Sequence, residues 1–332
     1  MAGNDHLIQV RNLKKWFPLH EGFFSSLFRK SEPRYIKAVD GVTFGIRKGE
    51  ILGLAGESGC GKTTTGMTIL RLYDPSFGEI LYRGEDIAQW SHKELKKLRR
   101  NMQLIFQDPY QSLNPRFTIL ETIKEPLDIH RLGHEDERID KVLRTLEKAE
   151  LIPGENFLHL YPHQLSGGQR QRVMIAKALV LNPGFIVADE PVSMLDVSIR
   201  ASILNLLKKI ADEESLGMLY ISHDLSTIRH ICSRTAIMYL GKVVEIGLTE
   251  EVIGAPAHPY VSALISSVPV PDPTYQRQRV EISGEVLTPI DLPPGCSFAP
   301  RCPRVSEICR KEEPVLHNLN PEHQVACHLQ AS

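Results

Sequence analysis

Residues 49–70, GEILGLAGESGCGKTTTGMTIL, decide how the chain is read. A short apolar run, Ile51, Leu52, Leu54 and Ala55, leads into Gly56-Glu57-Ser58-Gly59-Cys60-Gly61-Lys62-Thr63, and a helical pattern follows. Strand, glycine-rich loop and helix in that order form the phosphate-binding pattern G-x-x-x-x-G-K-[ST]. Glycine lets the backbone curl so that successive N–H groups face phosphate oxygens. The helix opening near Lys62 adds the positive end of its dipole. Lys62 is expected on the β- and γ-phosphates and the Thr63 hydroxyl on Mg²⁺. Gly56, Ser58, Gly59, Cys60, Gly61 and Thr64 complete the cradle. A chance glycine turn before an ordinary helix is the plainer reading, and the flanking strand and helix disfavour it. The loop leaves open what the energy of the nucleotide drives.

The bulk numbers narrow that question. A chain of 332 residues accommodates a full α/β domain with additions. Lys+Arg 39 against Asp+Glu 40 gives a formal net charge of −1, so no global field favours nucleic acid or anionic lipid. Asp5, Arg11, Lys14 and Lys15 break up the N-terminus before any apolar leader core forms. No apolar run approaches the ~20 residues that span a bilayer. The expected place is cytoplasmic, with any membrane role supplied through a partner. Six cysteines in such a compartment are expected to be free, catalytic or metal-bound rather than paired in disulfides.

Outward from the loop, Leu7–Val10 reads as a strand, and Val42, Phe44 and Ile46 alternate with Thr43 and Gly45 as a half-buried one. Together they predict an antiparallel flap. Lys14-Lys15-Trp16-Phe17 lies between them, and its aromatics suit either adenine stacking or plain packing. An irregular piece is expected over 20–35. Gly78–Ile80 and Leu81–Gly84 are expected as strands around a turn, and Ser91 with Glu94 predicts a capping box opening a basic helix. That basic face is read as solvated rather than nucleic-acid binding.

Further on, Gln103–Phe106 is a strand exit with Gln107 at its tip, because Pro109 disfavours helix at Asp108. Residues 110–165 are mainly helical, with Ile139, Val142, Leu143, Leu146 and Ala149 on one face. Leu165-Ser166-Gly167-Gly168-Gln169 opens a helix with an exposed, positively polarised N-terminus. Phe185–Ala188 is a buried strand ending in Asp189-Glu190, and carboxylates at strand ends face the ligand crevice of open α/β sheets. Asp189 suits Mg²⁺ held through water, and Glu190 suits a base that orients the attacking water. Met218–Ile221 is a further strand tipped by His223, placed to sense a γ-phosphate. Ala236–Leu240 and Val243–Ile246 read as a hairpin about Gly241-Lys242.

These segments, in this order, resemble the ATP-binding cassette (ABC) ATPases: phosphate loop, Gln107, signature Leu165–Gln169, Asp189-Glu190, Ser193–Asp196 and His223. The resemblance implies a P-loop α/β core with an antiparallel β flap and a helical subdomain at 108–180. It implies two subunits paired head to tail with two ATPs between them. Ser166, Gly168 and Gln169 would then act in trans, and Gln107 would join Thr63 and Asp189 around Mg²⁺. Phe17 becomes the better adenine partner, with Trp16 the alternative. Met194 stands where the family usually has Ala.

From Ala255 the composition turns Pro-rich and irregular, with Pro269, Pro271 and Pro273 marking a linker. Cys296-x5-Cys302-x6-Cys309-x17-Cys327 reads as a four-thiolate site, and its spacing leaves iron–sulfur and zinc open. Two intrachain disulfides are the plainer alternative. Cys60 and Cys232 stand apart as packed thiols. The stretch from His258-Pro259-Tyr260 through Cys327 resembles the extension of the oligopeptide/dipeptide importer ATPases, which implies a [4Fe-4S] cluster on these four cysteines.

The domains are then 1–254 for nucleotide binding and 255–332 for the extension. Nothing in the sequence places the cysteines beside the ATP. The importer family implies a second, different ATPase subunit, two membrane permeases docking near residues 107–115, and an extracytoplasmic solute-binding protein, with no nucleic acid. The chain would be peripheral, at the cytoplasmic face of the membrane, energising uptake of peptides or a related solute. The alternative is a soluble ABC ATPase acting on nucleic acid or ribosomes, against which the single cassette and lack of long heptads argue.

Overall fold

The computed structural model describes residues 6–19, 34–108, 112–267, 288–290 and 292–330. Residues 20–33 of the irregular piece expected over 20–35, the linker prolines 269, 271 and 273, and Pro109 lie outside these, and Tyr35 of that piece opens a strand instead. The elements run β1 His6–Pro18, β2 Tyr35–Arg47, β3 Ile51–Ala55, α1 Lys62–Ile69, β4 Phe77–Tyr82, β5 Glu85–Asp86, α2 His92–Leu98 and β6 Met102–Ile105. Then come α3 Ile119–Ile129, α4 Glu135–Lys148, α5 Gly167–Leu179, β7 Phe185–Asp189, α6 Val197–Glu214, β8 Gly217–Ile221 and α7 Leu225–Ile231. The chain closes with β9 Arg234–Tyr239, β10 Lys242–Leu248, α8 Thr249–Gly254, α9 Pro259–Ser267, α10 Glu307–Lys311, β11 His317–Asn320 and β12 His323–Val325.

Two compact units form. One comprises described residues 6–7, 46–51 and 89–221. Its strands β6, β7 and β8 are neighbours and parallel, with Leu104 opposite Val187 and Ala188 opposite Tyr220. Every residue of β7 and β8 is buried, which explains their unbroken apolar runs. The same unit holds a helical core in which Ile119, Ile123 and Leu127 of α3 meet Val142 and Leu146 of α4, Ala149 just after it, and Val173 of α5. Their i, i+3, i+4 spacing sets one stripe of each helix against its neighbours. Thr118 caps α3, its hydroxyl accepting from the Glu121 N–H at 3.2 Å.

The other unit comprises described residues of 8–45, 52–88 and 222–330. A flap sheet has the order β2-β1-β4-β5. β1 extends through Lys14-Lys15-Trp16-Phe17, and β4 is one continuous strand rather than two pieces around a turn. The turn falls later, at Arg83-Gly84, where both φ values are positive (52° and 85°). That is the two-residue geometry that suits strand twist. β3 lies parallel to β9, and β9 turns into β10 at Leu240-Gly241, again with two positive φ values.

The extension carries more regular structure than its composition suggests. β11 and β12 form a hairpin that adds to β10, with Glu245 opposite Val325. Glu245 is fully buried, and its carboxylate accepts from the Ala257 N–H (3.0 Å) and the His258 N–H (2.7 Å). His323 Nε2 lies 2.8 Å from it and His323 Nδ1 3.5 Å from Glu251. Burial raises the Glu245 carboxyl, and these donors offset part of that rise. One buried acid thus ties α9 and the terminal hairpin to β10.

His258 is the neutral counterpart. It is buried, its Nδ1 accepts from the Tyr260 N–H at 3.1 Å, and desolvation pulls its pKa down to about 4. Between that value and the ordinary 6.5 the unfolded chain binds the extra proton, so stability falls as pH falls through this window. The loss is on the order of 3 kcal/mol for the full shift. Glu245 works in the opposite direction, since its raised carboxyl takes up a proton in the folded state first. His258→Asn keeps an acceptor for the Tyr260 N–H and removes the titration. The difference in melting temperature between wild type and this variant should shrink from pH 7 to pH 4.5; a constant difference would count against a buried neutral His258.

Candidate active site

β3 is buried along its whole length and delivers the chain into the phosphate loop at Gly56. Only hydrogen fits at two loop positions. A Cβ on Gly56 (φ 148°) would stand 2.2 Å from the Met238 carbonyl oxygen. One on Gly61 (φ 105°) would stand 2.0 Å from that of Ala38. The Gly61 carbonyl accepts both the Thr65 N–H (2.8 Å) and its hydroxyl (2.9 Å), which starts α1.

Lys62 is 6% exposed, and its ammonium donates to the carbonyls of Gly56 (2.8 Å) and Glu57 (2.9 Å). A buried ammonium requires such partners, and a phosphate oxygen is a stronger one. Ser58, Gly59 and Thr63 are exposed and Thr64 is half-buried. Burial pushes the Cys60 thiol up against the pull of Lys62, so Cys60 is a packed, protonated thiol.

The aromatic candidates occupy different settings in this unit. Phe17 is half-buried and meets Tyr73 edge-on at 5.6 Å, with the Lys15 ammonium 4.9 Å from its ring. Trp16 is engaged by Tyr35, Phe77 and the ammonium groups of Lys14 and Lys37, and its indole N–H donates to Asp40 at 3.2 Å. Tyr73 has no sequence signal beyond lying just past α1. His223 is exposed in the turn between β8 and α7, where the Asp224 carboxylate accepts from the Ser226 N–H at 2.9 Å.

In the other unit Gln107 and Glu190 come together, the Gln107 amide donating to Glu190 Oε2 at 3.0 Å. They are 83 residues apart in sequence and are joined because β6 and β7 are parallel neighbours. Glu190 directly follows β7 with φ 45°, a left-handed backbone costing ~1–3 kcal/mol in a non-glycine residue. Its N–H donates to the Ile221 carbonyl (2.9 Å), which fixes the turn. Asp189 is 5% exposed at the end of the strand. Ser166 caps α5 reciprocally with Gln169, at 3.3 Å and 2.9 Å, and Gly168 is buried so close to Ile199 that a Cβ would lie 2.8 Å from its Cγ2.

Cys296, Cys302, Cys309 and Cys327 carry free thiols near enough for their charges to interact. Burial raises Cys302 and Cys327, and pushes Cys296 up to about 11. The Cys296 N–H donates to the Cys309 carbonyl at 2.8 Å. Among the described residues, no three His, Cys, Asp or Glu side chains converge on a single ion position.

Sequence reasoning separated this extension from the phosphate loop, and the structure joins them. Arg301 forks onto the Glu57 carboxylate at 3.0 and 3.3 Å, and the Glu57 N–H donates to the Tyr260 hydroxyl at 2.9 Å.

Two family models match the chain: ABC transporter over residues 39–193, and oligopeptide/dipeptide transporter, C-terminal region, over 244–309. The oligopeptide transport ATP-binding protein AppF of Bacillus subtilis (strain 168) is 47% identical over 99% of this chain and 98% of its own. The chain belongs to the ABC transporter ATPases of the oligopeptide/dipeptide type. The dipeptide transport ATP-binding protein DppF of Haemophilus influenzae is 43% identical over 98% of this ABC ATPase and 97% of its own length. Among solved structures, the dimeric post-hydrolysis state of the cassette MJ0796 bound to ADP and Pi is 32% identical, with a TM-score of 0.63 over 73% of this chain and 98% of that one. The cbiO1 protein of Clostridium perfringens is 26% identical, with a TM-score of 0.64 over 76% and 92%. Among the described residues, no helix of this ABC ATPase is long and apolar enough to cross a membrane.

Proposed function

We propose that this ABC ATPase hydrolyses ATP to energise import of di- or oligopeptides, or a related solute, through a membrane transporter. The observation that carries the reading is the Gln107–Glu190 contact, which holds a carboxylate in a left-handed turn at the end of β7. Such a carboxylate can orient and polarise a water for attack on the γ-phosphorus. Lys62 meets the phosphate charge, exchanging two loop carbonyls for phosphate oxygens. Mg²⁺, when bound, neutralises charge between the β- and γ-phosphates. The donor set suits it: the exposed Thr63 hydroxyl, the Gln107 amide oxygen and the Asp189 carboxylate are hard oxygen ligands. His223 completes the γ-phosphate environment and Phe17 stacks on adenine.

Ser166, Gly168 and Gln169 act on the nucleotide of a second ATPase subunit. The exposed, capped N-terminus of α5 supports this, as does the dimeric form of the MJ0796 cassette. Residues 1–254 are assigned as the nucleotide-binding domain, with a helical subdomain over 108–180, and 255–332 as the extension. The partners in this reading are one further ATPase subunit of different sequence, two permeases and an extracytoplasmic solute-binding protein. The subunit sits at the cytoplasmic face of the membrane. The names of the relatives, peptide-transport proteins throughout the first matches, favour this over action on nucleic acid or ribosomes.

We further propose a [4Fe-4S] group on Cys296, Cys302, Cys309 and Cys327. What supports this reading is the donor chemistry, four free thiols near enough for their charges to interact. Such a group would supply the positive charge that lets raised thiols ionise. Anaerobically purified protein should show visible absorption with bound iron and inorganic sulfide; a colourless, zinc-loaded protein would remove the cluster.

Glu190→Gln should keep ATP binding and lower steady-state hydrolysis by ~10²-fold or more. Hydrolysis at the wild-type rate in that variant would falsify the role given to Glu190.

A further inference from the structure

Glu57 is the second residue of the phosphate loop, and two side chains from the C-terminal extension, Arg301 and Tyr260, fix it. Arg301 Nη1 and Nη2 meet its two carboxylate oxygens at 3.0 and 3.3 Å, with the Arg301 side chain 9% exposed and that of Glu57 26%. Arg301 Nη1 also donates to the Tyr239 hydroxyl at 3.3 Å. The backbone N–H of Glu57 donates to the Tyr260 hydroxyl at 2.9 Å. A parallel fork of charge-assisted bonds fixes the orientation of both planes, which a single point contact does not.

The groups that hold Glu57 are themselves rigid. Tyr239, Tyr260 and Phe298 are at most 1% exposed and pack as a cluster with ring centroids 4.7 to 5.5 Å apart. Arg301 ends a short 3-10 turn, Ala299–Arg301, set between Cys296 and Cys302. The Ala299 N–H donates to the Cys296 carbonyl (2.9 Å) and the Arg301 N–H to that of Phe298 (3.0 Å). The Cys296 N–H is in turn held by Cys309 (2.8 Å). A continuous set of short contacts therefore runs from the cysteines to the carboxylate of Glu57.

The same residue faces inward as well. The Glu57 carbonyl accepts from the Lys62 ammonium at 2.9 Å, so the peptide units on both sides of the Glu57 side chain are constrained. A shift of Arg301 would move the carbonyl that Lys62 uses. We propose that the Arg301–Glu57 fork, backed by the Tyr260 hydroxyl, is a positioning contact through which the four-cysteine extension sets the conformation of the phosphate loop. It rests on the reading of this loop as the ATP site. Linkage makes the effect reciprocal: nucleotide on the loop steadies the turn that joins Cys296 to Cys302.

The test uses the full chain with its native extension and a fluorescent ATP analogue in the presence of Mg²⁺. Arg301→Ala should weaken binding roughly tenfold, within the usual range for coupled sites. Arg301→Lys should recover only part of this, because a single ammonium cannot reproduce the fork. Arg301→Ala combined with Glu57→Gln should be no weaker than the worse single variant. Tyr260→Phe, which keeps the ring and removes only the hydroxyl, should weaken binding several-fold and guards against misfolding of the arginine variant. ATP should also slow amide exchange over residues 299–304 in wild type and not in Arg301→Ala. Wild-type affinity in a folded Arg301→Ala, or single effects that multiply in the double variant, would overturn the proposal. Failure of the wild-type chain to bind the analogue would instead overturn the ATP reading itself.

Discussion

The Lys62 ammonium, buried against the carbonyls of Gly56 and Glu57, is the interaction on which the rest of the site depends. A buried cation needs a shell of oxygens, and the loop supplies one only because its backbone curls where side chains cannot follow. Gly56 and Gly61 give that curl, since a Cβ at either would overlap a carbonyl oxygen of Met238 or Ala38. Those carbonyls belong to β9 and β2, so the loop is shaped by strands distant in sequence. A phosphate offered to this shell is met by a charge already desolvated and aimed.

Much of this was legible in the residues. GESGCGKT names the loop because glycine spacing and the Lys-Thr pair report local backbone chemistry. The unbroken apolar run of β7 ends in Asp189-Glu190 at the strand end where ligands bind. Ser91–Glu94 marks a helix start because a capping box is a contact across three residues: the Ser91 N–H donates to Glu94 at 2.8 Å. Signals of this kind are short in sequence and periodic or stereotyped.

Other features were not legible, for different physical reasons. Arg301 and Glu57 are 244 residues apart, and Tyr260 and Glu57 are 203 apart. A charge pair closed by tertiary folding leaves no period and no spacing to read. Tyr73 beside Phe17 is the same case. The hairpin of β11 and β12 was hidden differently, because His317–Asn320 and His323–Val325 are polar strands that gain their order from pairing with β10. The division of Gly78–Gly84 into two strands around a turn failed because Ile80 and Leu81 pair without a break with Val10 and Gln9, and the turn lies at Arg83-Gly84.

The central claim is that ATP turnover on this chain drives solute through a membrane partner, and uptake itself tests it most directly. The measurement is accumulation of labelled peptide in vesicles holding the assembled transporter, with ATP on the side where this subunit sits. Accumulation should require ATP and this subunit, and should stop when the Glu190 carboxylate is replaced by an amide. ATP-driven peptide accumulation that persists without this subunit, or ATP turnover by the full assembly with no solute moved, would contradict the account.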